Sequence, residues 1–294
     1  MLLSKQQIFA LLKMGRPFVL IAGLIAYLVG LSMAYHEFKV LDLTKAIIGL
    51  IVLTTGTLMG HYADEYADVD TDSLTRRTLY SGGSGVLPSG IIPIKWAIYS
   101  AIIFLIATLL ISFLSIFFGI FTPNILWIVF PALVGGWIYS MPPFSLERKS
   151  LGEVDNAILG GFFMTLMGYT AQTGIITTNS ILSLIPIFLS VFVNLLGVHW
   201  ADRIADKFVG KNTLVVKLGN KTHFLFYSLV FLMYFITILF MGRILPVQVG
   251  ISILLTIPFG IYSSYKFTKT KTPMLSSAFM VVVMFAMIFG FIFN

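Results

Sequence analysis

The sequence predicts an all-α polytopic membrane protein with nine transmembrane helices, and three observations support this. Hydrophobic residues make up 58% of the 294-residue chain and charged residues only 11%. The mean hydropathy is +0.96, far above that of soluble globular domains. The apolar residues form nine stretches long enough to cross a bilayer, and the basic residues fall almost entirely into alternate connections between those stretches.

Each predicted helix is an apolar stretch of roughly 17 to 26 residues, the length range of bilayer-crossing helices. Glycine and polar residues interrupt the fourth and fifth stretches, so their ends are the least sharply marked. In chain order the stretches are 17–35, 44–62, 94–119, 124–140, 154–175, 180–199, 222–241, 247–265 and 274–293.

The distribution of basic residues predicts the orientation of the bundle. Of the 19 basic residues, 16 lie on the side that contains the N-terminus, and only Lys39, Lys45 and Arg243 lie on the other. Cytoplasmic loops are enriched in Lys and Arg, so the N-terminus and the loops 63–93 and 200–221 are expected in the cytoplasm and the C-terminus outside. The N-terminus lacks the pattern of a cleaved signal peptide, so we expect the first helix to be retained in the cell membrane.

An eight-residue pattern that occurs twice is the main indication of function. HYADEYAD (61–68) ends the second predicted helix, and HWADRIAD (199–206) ends the sixth. The spacing i, i+3, i+7 places one His and two Asp on one helix face in each copy. The two faces are formed by His61, Asp64 and Asp68 and by His199, Asp202 and Asp206. The four-helix separation of the copies predicts two similar units, about 1–140 and 141–294, plus a ninth helix, within one domain covering 1–294.

Two acidic helix faces at the same end of an apolar bundle would repel each other unless cations lie between them. Carboxylate oxygens suit a hard divalent cation, Mg²⁺ before Zn²⁺, and Mg²⁺ completes its coordination with water and phosphate oxygens. Together with the basic loops that follow, the two faces indicate a Mg²⁺–diphosphate site. A dinuclear zinc site that includes both histidines is the alternative. The absence of Cys excludes thiolate metal sites, disulfides and a Cys nucleophile.

At four places the sequence resembles the UbiA superfamily of intramembrane prenyltransferases. GHYADEYAD (60–68) is similar to the family's NDxxDxxxD motif, and YSMPPFSLERKSLGE (139–153) to its YS-x-P-P loop followed by LGE. DRIADKFVGKNTLVVKLG (202–219) is similar to its DxxxD motif, with a tail like that of the branch that prenylates 1,4-dihydroxy-2-naphthoate in menaquinone synthesis. Arg16-Pro17 resembles the pair that opens the family's first helix. In two departures, Gly60-His61 replaces the usual Asn-Asp, and Glu147 stands where Lys is common.

The resemblance implies Mg²⁺-dependent transfer of a prenyl group from a prenyl diphosphate to a lipophilic or aromatic acceptor. The acceptor that it favours is a quinone precursor such as 1,4-dihydroxy-2-naphthoate. Tyr139 would shield the allylic cation by cation–π attraction. The metal would be held by Asp64, Asp68, Asp202 and Asp206, with Asp72 as a further candidate. The other expected substrate-binding residues are Arg16, His61, Arg76, Arg77, Ser140, Arg148, Lys149, His199, Arg203, Lys207 and Lys211.

Within that set, the basic residues are expected to face the diphosphate, and Arg16 or Arg148 the carboxylate of an aromatic acceptor. The four aspartates are expected to converge on one cytoplasm-facing cavity. The alternative acceptor is geranylgeranylglyceryl phosphate, as in ether-lipid synthesis. Alternatives of other classes are a non-catalytic lipid-binding protein and an ion-coupled transporter, although carrier sites tend to lie near the bilayer midplane. Membrane lipid is an expected partner, and nucleic acid is not.

Overall fold

The computed structural model describes residues 4–74, 83–269 and 273–293, and these residues form an all-helical bundle. The predicted fold class is therefore confirmed. Within the described residues there is no β-sheet, only two isolated bridges that join Lys149 to Asn212 and Met241 to Leu245. Arg76 and Arg77, predicted to contact the diphosphate, lie outside the described residues.

Local sequence explains where the first long helices begin. Pro17 occupies the first turn of its helix. Backbone N–H groups in that turn have no partner within the helix, so proline, which lacks this group, costs no hydrogen bond there. Asp42 caps the next helix, because its side chain accepts a hydrogen bond from the Lys45 backbone N–H at 3.0 Å. The helices are α1 Lys5–Met14, α2 Pro17–Phe38, α3 Leu43–Ala67, α4 Val69–Leu74, α5 Lys95–Phe117, α6 Leu126–Ser140, α7 Gly152–Ile158, α8 Met164–Thr173, α9 Thr178–Leu182, α10 Ile185–Phe208, α11 Leu214–Leu218, α12 Thr222–Phe240, α13 Val247–Leu254, α14 Ile257–Lys266 and α15 Met274–Ile292.

Eight helical segments among the described residues are long and apolar enough to cross a membrane, so the predicted count of nine spans is not confirmed. The exception is the stretch predicted at 154–175. There α7 and α8 are separated by a π-helical turn, Leu159–Phe163, and the first turn of α7 carries Glu153 and Asp155. This interrupted and partly acidic run differs from a single apolar helix. The eight segments make the chain an integral membrane protein; the sidedness of its ends and the two-unit repeat stay predictions.

Glycine allows α2 and α8 to pack with their backbones in contact. A Cβ atom added at Gly30 of α2 would lie 1.9 Å from the Thr165 carbonyl oxygen, and one added at Gly168 of α8 would lie 2.3 Å from the Tyr27 carbonyl oxygen. Small residues at helix crossings are a common basis of association in membranes, where apolar surface alone does not distinguish helix from lipid. This crossing fixes α8, and with it the interrupted helix, against the N-terminal span.

One end of the bundle is covered by a small hydrophobic cluster separate from the main core. It joins α1, the end of α3, residues 84–92 and the start of α5. Tyr62 contributes both its buried ring and a hydrogen bond from its hydroxyl to the Leu11 carbonyl oxygen at 2.8 Å. The last two turns of α3, which carry the first octapeptide, are therefore held in place from two sides.

Candidate active site

The ends of α3 and α10, which carry the two octapeptides, meet through Lys211. The Lys211 backbone N–H donates to the carbonyl oxygen of Asp206 at 2.8 Å, and its Nζ lies 2.5 Å from Oδ2 of Asp68. All three residues are buried. Burial alone would lower the pKa of the Lys211 ammonium, but Asp68 and Glu147 outweigh it and raise this pKa well above its usual value. Lys211 is therefore a charged link between the two acidic segments.

Three carboxylates form a compact group beside Lys211. Asp64, Asp68 and Glu147 each present an oxygen, and the three oxygens lie within 4.8 Å of one another. Glu147 comes from the turn after α6, and Lys211 Nζ lies 2.5 Å from its Oε2. Oε1 of Glu147 and Oδ1 of Asp68 are buried without a hydrogen-bond donor, and Oε2 of Glu147 has only the ion pair with Lys211. Close carboxylates with unmet acceptors fit a hard divalent cation.

Arg16 closes the group on the side of α2. Its guanidinium lies 2.7 Å from Oδ2 of Asp64 and 2.7 Å from Oε1 of Glu65. The buried Glu65 also accepts hydrogen bonds from the backbone N–H and the hydroxyl of Ser84, at 2.7 and 2.5 Å. Burial opposes the charge on Arg16, but Asp64 and Glu65 raise its pKa well above the usual value. Arg16 is thus a fixed cation at the edge of the site.

Tyr139 and Ser140, at the end of α6, face the same place. The Ser140 hydroxyl donates to Oδ1 of Asp64 at 2.5 Å. The Tyr139 hydroxyl lies 3.4 Å from Nε2 of His199, whose Nδ1 lies 2.8 Å from Oε1 of Glu153. Glu153 is completely buried. A chain of contacts from Glu153 through His199 therefore orients the Tyr139 ring.

The two octapeptide histidines have different surroundings. Nδ1 of His61 donates to the carbonyl oxygen of Gly15 at 2.8 Å, so this nitrogen of the predicted substrate-binding residue is bound to the backbone in the ligand-free protein. The reason is that the turn between α1 and α2 packs directly against α3. His199 does have a carboxylate partner, Glu153. Neither histidine belongs to the carboxylate group, so the described residues favour an oxygen-liganded cation over the zinc alternative.

The remaining predicted residues lie at varying distances from this group. Asp206 is buried and Asp202 is partly buried on α10, but neither is among the three grouped carboxylates. Arg148 is 3.6 Å from Oδ1 of Asp68. Three predicted cations lie away from the cluster. Lys207 is exposed, the exposed Lys149 donates to the Pro143 carbonyl oxygen at 3.1 Å, and Arg203 stacks 3.9 Å above the Trp200 ring.

Asp72, the additional metal candidate, lies buried in α4 against the loop that follows residue 82. A Cβ atom at Gly83, which has φ +62°, would lie 1.6 Å from Oδ2 of Asp72, so only glycine fits there. Burial raises the pKa of Asp72 to about 8 despite the opposing effect of Arg16. Burial therefore favours the protonated form of Asp72 in the ligand-free protein.

A cavity of about 590 Å³ runs from this polar site into the bundle. Its polar end is lined by Arg16, His61, Asp64, Tyr139 and His199. The rest is lined mainly by apolar side chains of α2, α3, α6, α8, α10 and α15. The volume lies within the usual range of ligand pockets. The shape and lining suit an amphiphile with a charged head at the acidic site and a long apolar tail among the helices.

An apolar cavity that ends at a buried carboxylate cluster, in a helical membrane bundle, suits a protein that acts on an amphiphilic substrate within the membrane. The chain matches the model of the UbiA prenyltransferase family over residues 23–290, and it belongs to that family. Membership confirms the resemblance drawn from the four motifs and favours the prenyltransferase prediction over an ion-coupled transporter.

One known protein is similar to this chain in sequence, and two solved structures are similar to it in fold. The chain is 26% identical over 218 residues to 1,4-dihydroxy-2-naphthoate octaprenyltransferase of Bacillus subtilis (strain 168), covering 71% of this chain and 66% of that protein, just under two thirds of its length. The structure of a UbiA homolog from Archaeoglobus fulgidus bound to DMAPP and Mg²⁺ is similar with a TM-score of 0.72, at 17% identity, over 96% of this chain and 98% of that chain. A structure of digeranylgeranylglyceryl phosphate synthase is similar with a TM-score of 0.65, at 20% identity, over 98% and 99%.

Proposed function

We propose that the protein transfers a prenyl group from a prenyl diphosphate to an aromatic quinone precursor, such as 1,4-dihydroxy-2-naphthoate, in a Mg²⁺-dependent reaction. The observation that carries this proposal is the buried carboxylate group at the polar end of a long apolar cavity. The naphthoate acceptor is supported by the Bacillus relative and by the GKNTLVVKLG segment.

The residues of the site fit Mg²⁺. Asp64 and Asp68 offer clustered oxygens, one of them without a hydrogen-bond donor, and Asp206 lies next to Lys211 within the same buried region. In this proposal Asp64, Asp68, Asp202 and Asp206 hold the metal, and Asp72 joins them if a nearby cation displaces its proton. Bound Mg²⁺ would supply Lewis-acid stabilisation of the leaving diphosphate.

Three cations of the chain are positioned to bind the diphosphate. Arg16, Lys211 and Arg148 are each paired with carboxylates of the site in the ligand-free protein. A diphosphate brings several anionic oxygens to the same place, and charge-assisted hydrogen bonds to phosphate are strong. Arg16 pairs with Asp64, and Lys211 pairs with Asp68 and Glu147. In this proposal the two cations together orient the diphosphate with its C1–O bond toward the cavity.

Cleavage of the C1–O bond leaves its electron pair on the diphosphate and an allylic cation on the prenyl chain. The Tyr139 ring, oriented through His199 and Glu153, lines the polar end of the cavity where that cation forms. Aromatic faces stabilise cations, and the apolar lining excludes water that would quench them. The ring carbon of the acceptor attacks C1 and then loses a proton to a carboxylate or diphosphate oxygen.

A competition experiment tests the acceptor. Purified protein receives 1,4-dihydroxy-2-naphthoate and geranylgeranylglyceryl phosphate at equal concentration, with one prenyl diphosphate and Mg²⁺, and products are identified by mass. We expect the prenylated naphthoate to dominate. If only the glyceryl phosphate is alkylated, the aromatic acceptor is wrong while prenyl transfer stands, and the ether-lipid alternative replaces it.

A further inference from the structure

Glu147 is the unexpected member of the carboxylate group. It stands at the position where the resemblance leads us to expect Lys, on the short 3-10 turn Leu146–Arg148. Its side chain is 1% exposed and lies beside Asp64 and Asp68. A substitution of Lys by Glu at this place reverses a charge next to two carboxylates, which is unfavourable unless a cation compensates for it.

Lys211 compensates for the negative charge of Glu147 only in part. Its single ammonium is shared between Oδ2 of Asp68 and Oε2 of Glu147, each at 2.5 Å. Oε1 of Glu147 still lacks a hydrogen-bond donor. A buried carboxylate oxygen without a donor carries an uncompensated desolvation cost. Arg16 pairs with Asp64, and Arg148 lies 3.6 Å from Oδ1 of Asp68. The ligand capacity that these cations and Lys211 leave unused is therefore chiefly that of Glu147.

The backbone at Glu147 is held in place by close packing. A Cβ atom at Gly152 would lie 2.6 Å from the Cα of Glu147, so the start of α7 packs directly against the backbone of this residue. The Lys211 backbone N–H donates to the Asp206 carbonyl oxygen, and its ammonium stands at the end of a flexible four-carbon side chain. The ammonium can therefore change partners without a movement of the backbone.

We propose that Glu147 is a direct ligand of the divalent cation, together with Asp64 and Asp68, and that the Lys211 ammonium occupies the same place in the metal-free protein. Binding of the metal displaces the ammonium, which then turns to the diphosphate. This inference rests on the proposed function. It adds a metal ligand from the segment 139–153 and a cation of the chain, the Lys211 ammonium, that competes with the metal.

Direct metal binding tests this without turnover. Mn²⁺ serves as the probe, and its affinity for detergent-purified protein without diphosphate is measured by electron paramagnetic resonance. We expect Glu147→Gln to weaken Mn²⁺ binding by more than about tenfold, since even partners outside the ligand shell contribute 10–100-fold, and Glu147→Asp to recover part of the loss. Lys211→Met is expected to tighten Mn²⁺ binding because the competing ammonium is gone. The control is Asp70→Asn, an exposed aspartate nearby, with unchanged affinity.

The outcomes separate this inference from the proposed function. If Glu147 is only the counter-ion of Lys211, Glu147→Gln leaves Mn²⁺ affinity unchanged, and the inference is overturned while Mg²⁺-dependent turnover of the unmodified protein still supports the function. Unchanged or weakened Mn²⁺ binding in Lys211→Met overturns the displacement step, even if Glu147→Gln does not fold. Metal-independent turnover of the unmodified protein contradicts the proposed function instead.

Discussion

Asp68→Asn is expected to reduce prenyl transfer by about 10²–10³-fold, the scale of losing one preorganised electrostatic contact. Asp68 is buried in the carboxylate group, pairs with Lys211 at 2.5 Å and has one oxygen without a hydrogen-bond donor. The amide keeps the shape of the side chain but removes its charge, which weakens both metal binding and the position of Lys211. The measurement is the rate of product formation at saturating Mg²⁺ and prenyl diphosphate.

Asp70→Asn provides the matched control, because Asp70 is exposed two residues further along the chain and should retain full activity. Thermal unfolding of both variants in detergent establishes that they are folded. An Asp68→Asn protein that is folded and as active as the unmodified protein would remove Asp68 from the site.

Arg16→Met is expected to destabilise the protein strongly and also to reduce prenyl transfer. The change leaves Asp64 and the buried Glu65 without the guanidinium that pairs with both, and removing one member of a buried ion pair typically costs 3–5 kcal/mol. Arg16 keeps 23% of its side chain exposed, so we expect the low end of this range, about 3 kcal/mol. For a chain of this size this corresponds to a melting temperature lower by about 5–10 °C.

Lys13→Met is the control for Arg16→Met, because Lys13 is an exposed cation one turn earlier in the chain. Its melting temperature should stay within about 2 °C of the unmodified protein, as expected for a surface substitution. Equal melting temperatures for Arg16→Met and the unmodified protein would mean that the two ion pairs of Arg16 contribute nothing to the fold.

Sequence reasoning predicts most of this fold because bilayer-crossing helices are marked by length and hydropathy alone. The stretches at 17–35 and 274–293 match α2 and α15 closely. The stretch at 154–175 does not form one regular helix: it contains a π-helical turn, and Gly161 in that turn packs closely against the backbone of Phe188 in α10. The amphipathic α1 was also missed, since it has no apolar run of spanning length.

The sequence predicts only part of the site, because some of its residues come together only through tertiary packing. The octapeptide spacing identifies Asp64 and Asp68 because both lie on one face of one helix. Glu65 belongs to the same octapeptide but not to the repeated His–Asp–Asp pattern, since Arg203 stands at its place in the second copy, and its partners are Arg16 and Ser84. Glu147 and Glu153 come from the turn and helix after α6, and only tertiary packing brings them to Lys211 and His199. The departure from the family pattern was the available signal for Glu147, and Glu153 is the last residue of the LGE segment that matches the family.

The most direct test of the account is the metal dependence of prenyl transfer by the purified protein. Geranylgeranyl diphosphate and 1,4-dihydroxy-2-naphthoate are supplied with Mg²⁺, with excess chelator, or with chelator followed by Mg²⁺ in excess over it, and the prenylated product is quantified by mass. We expect product with Mg²⁺, none with chelator and full recovery when Mg²⁺ is restored. Equal product formation in excess chelator would contradict a carboxylate-bound metal as the centre of this site.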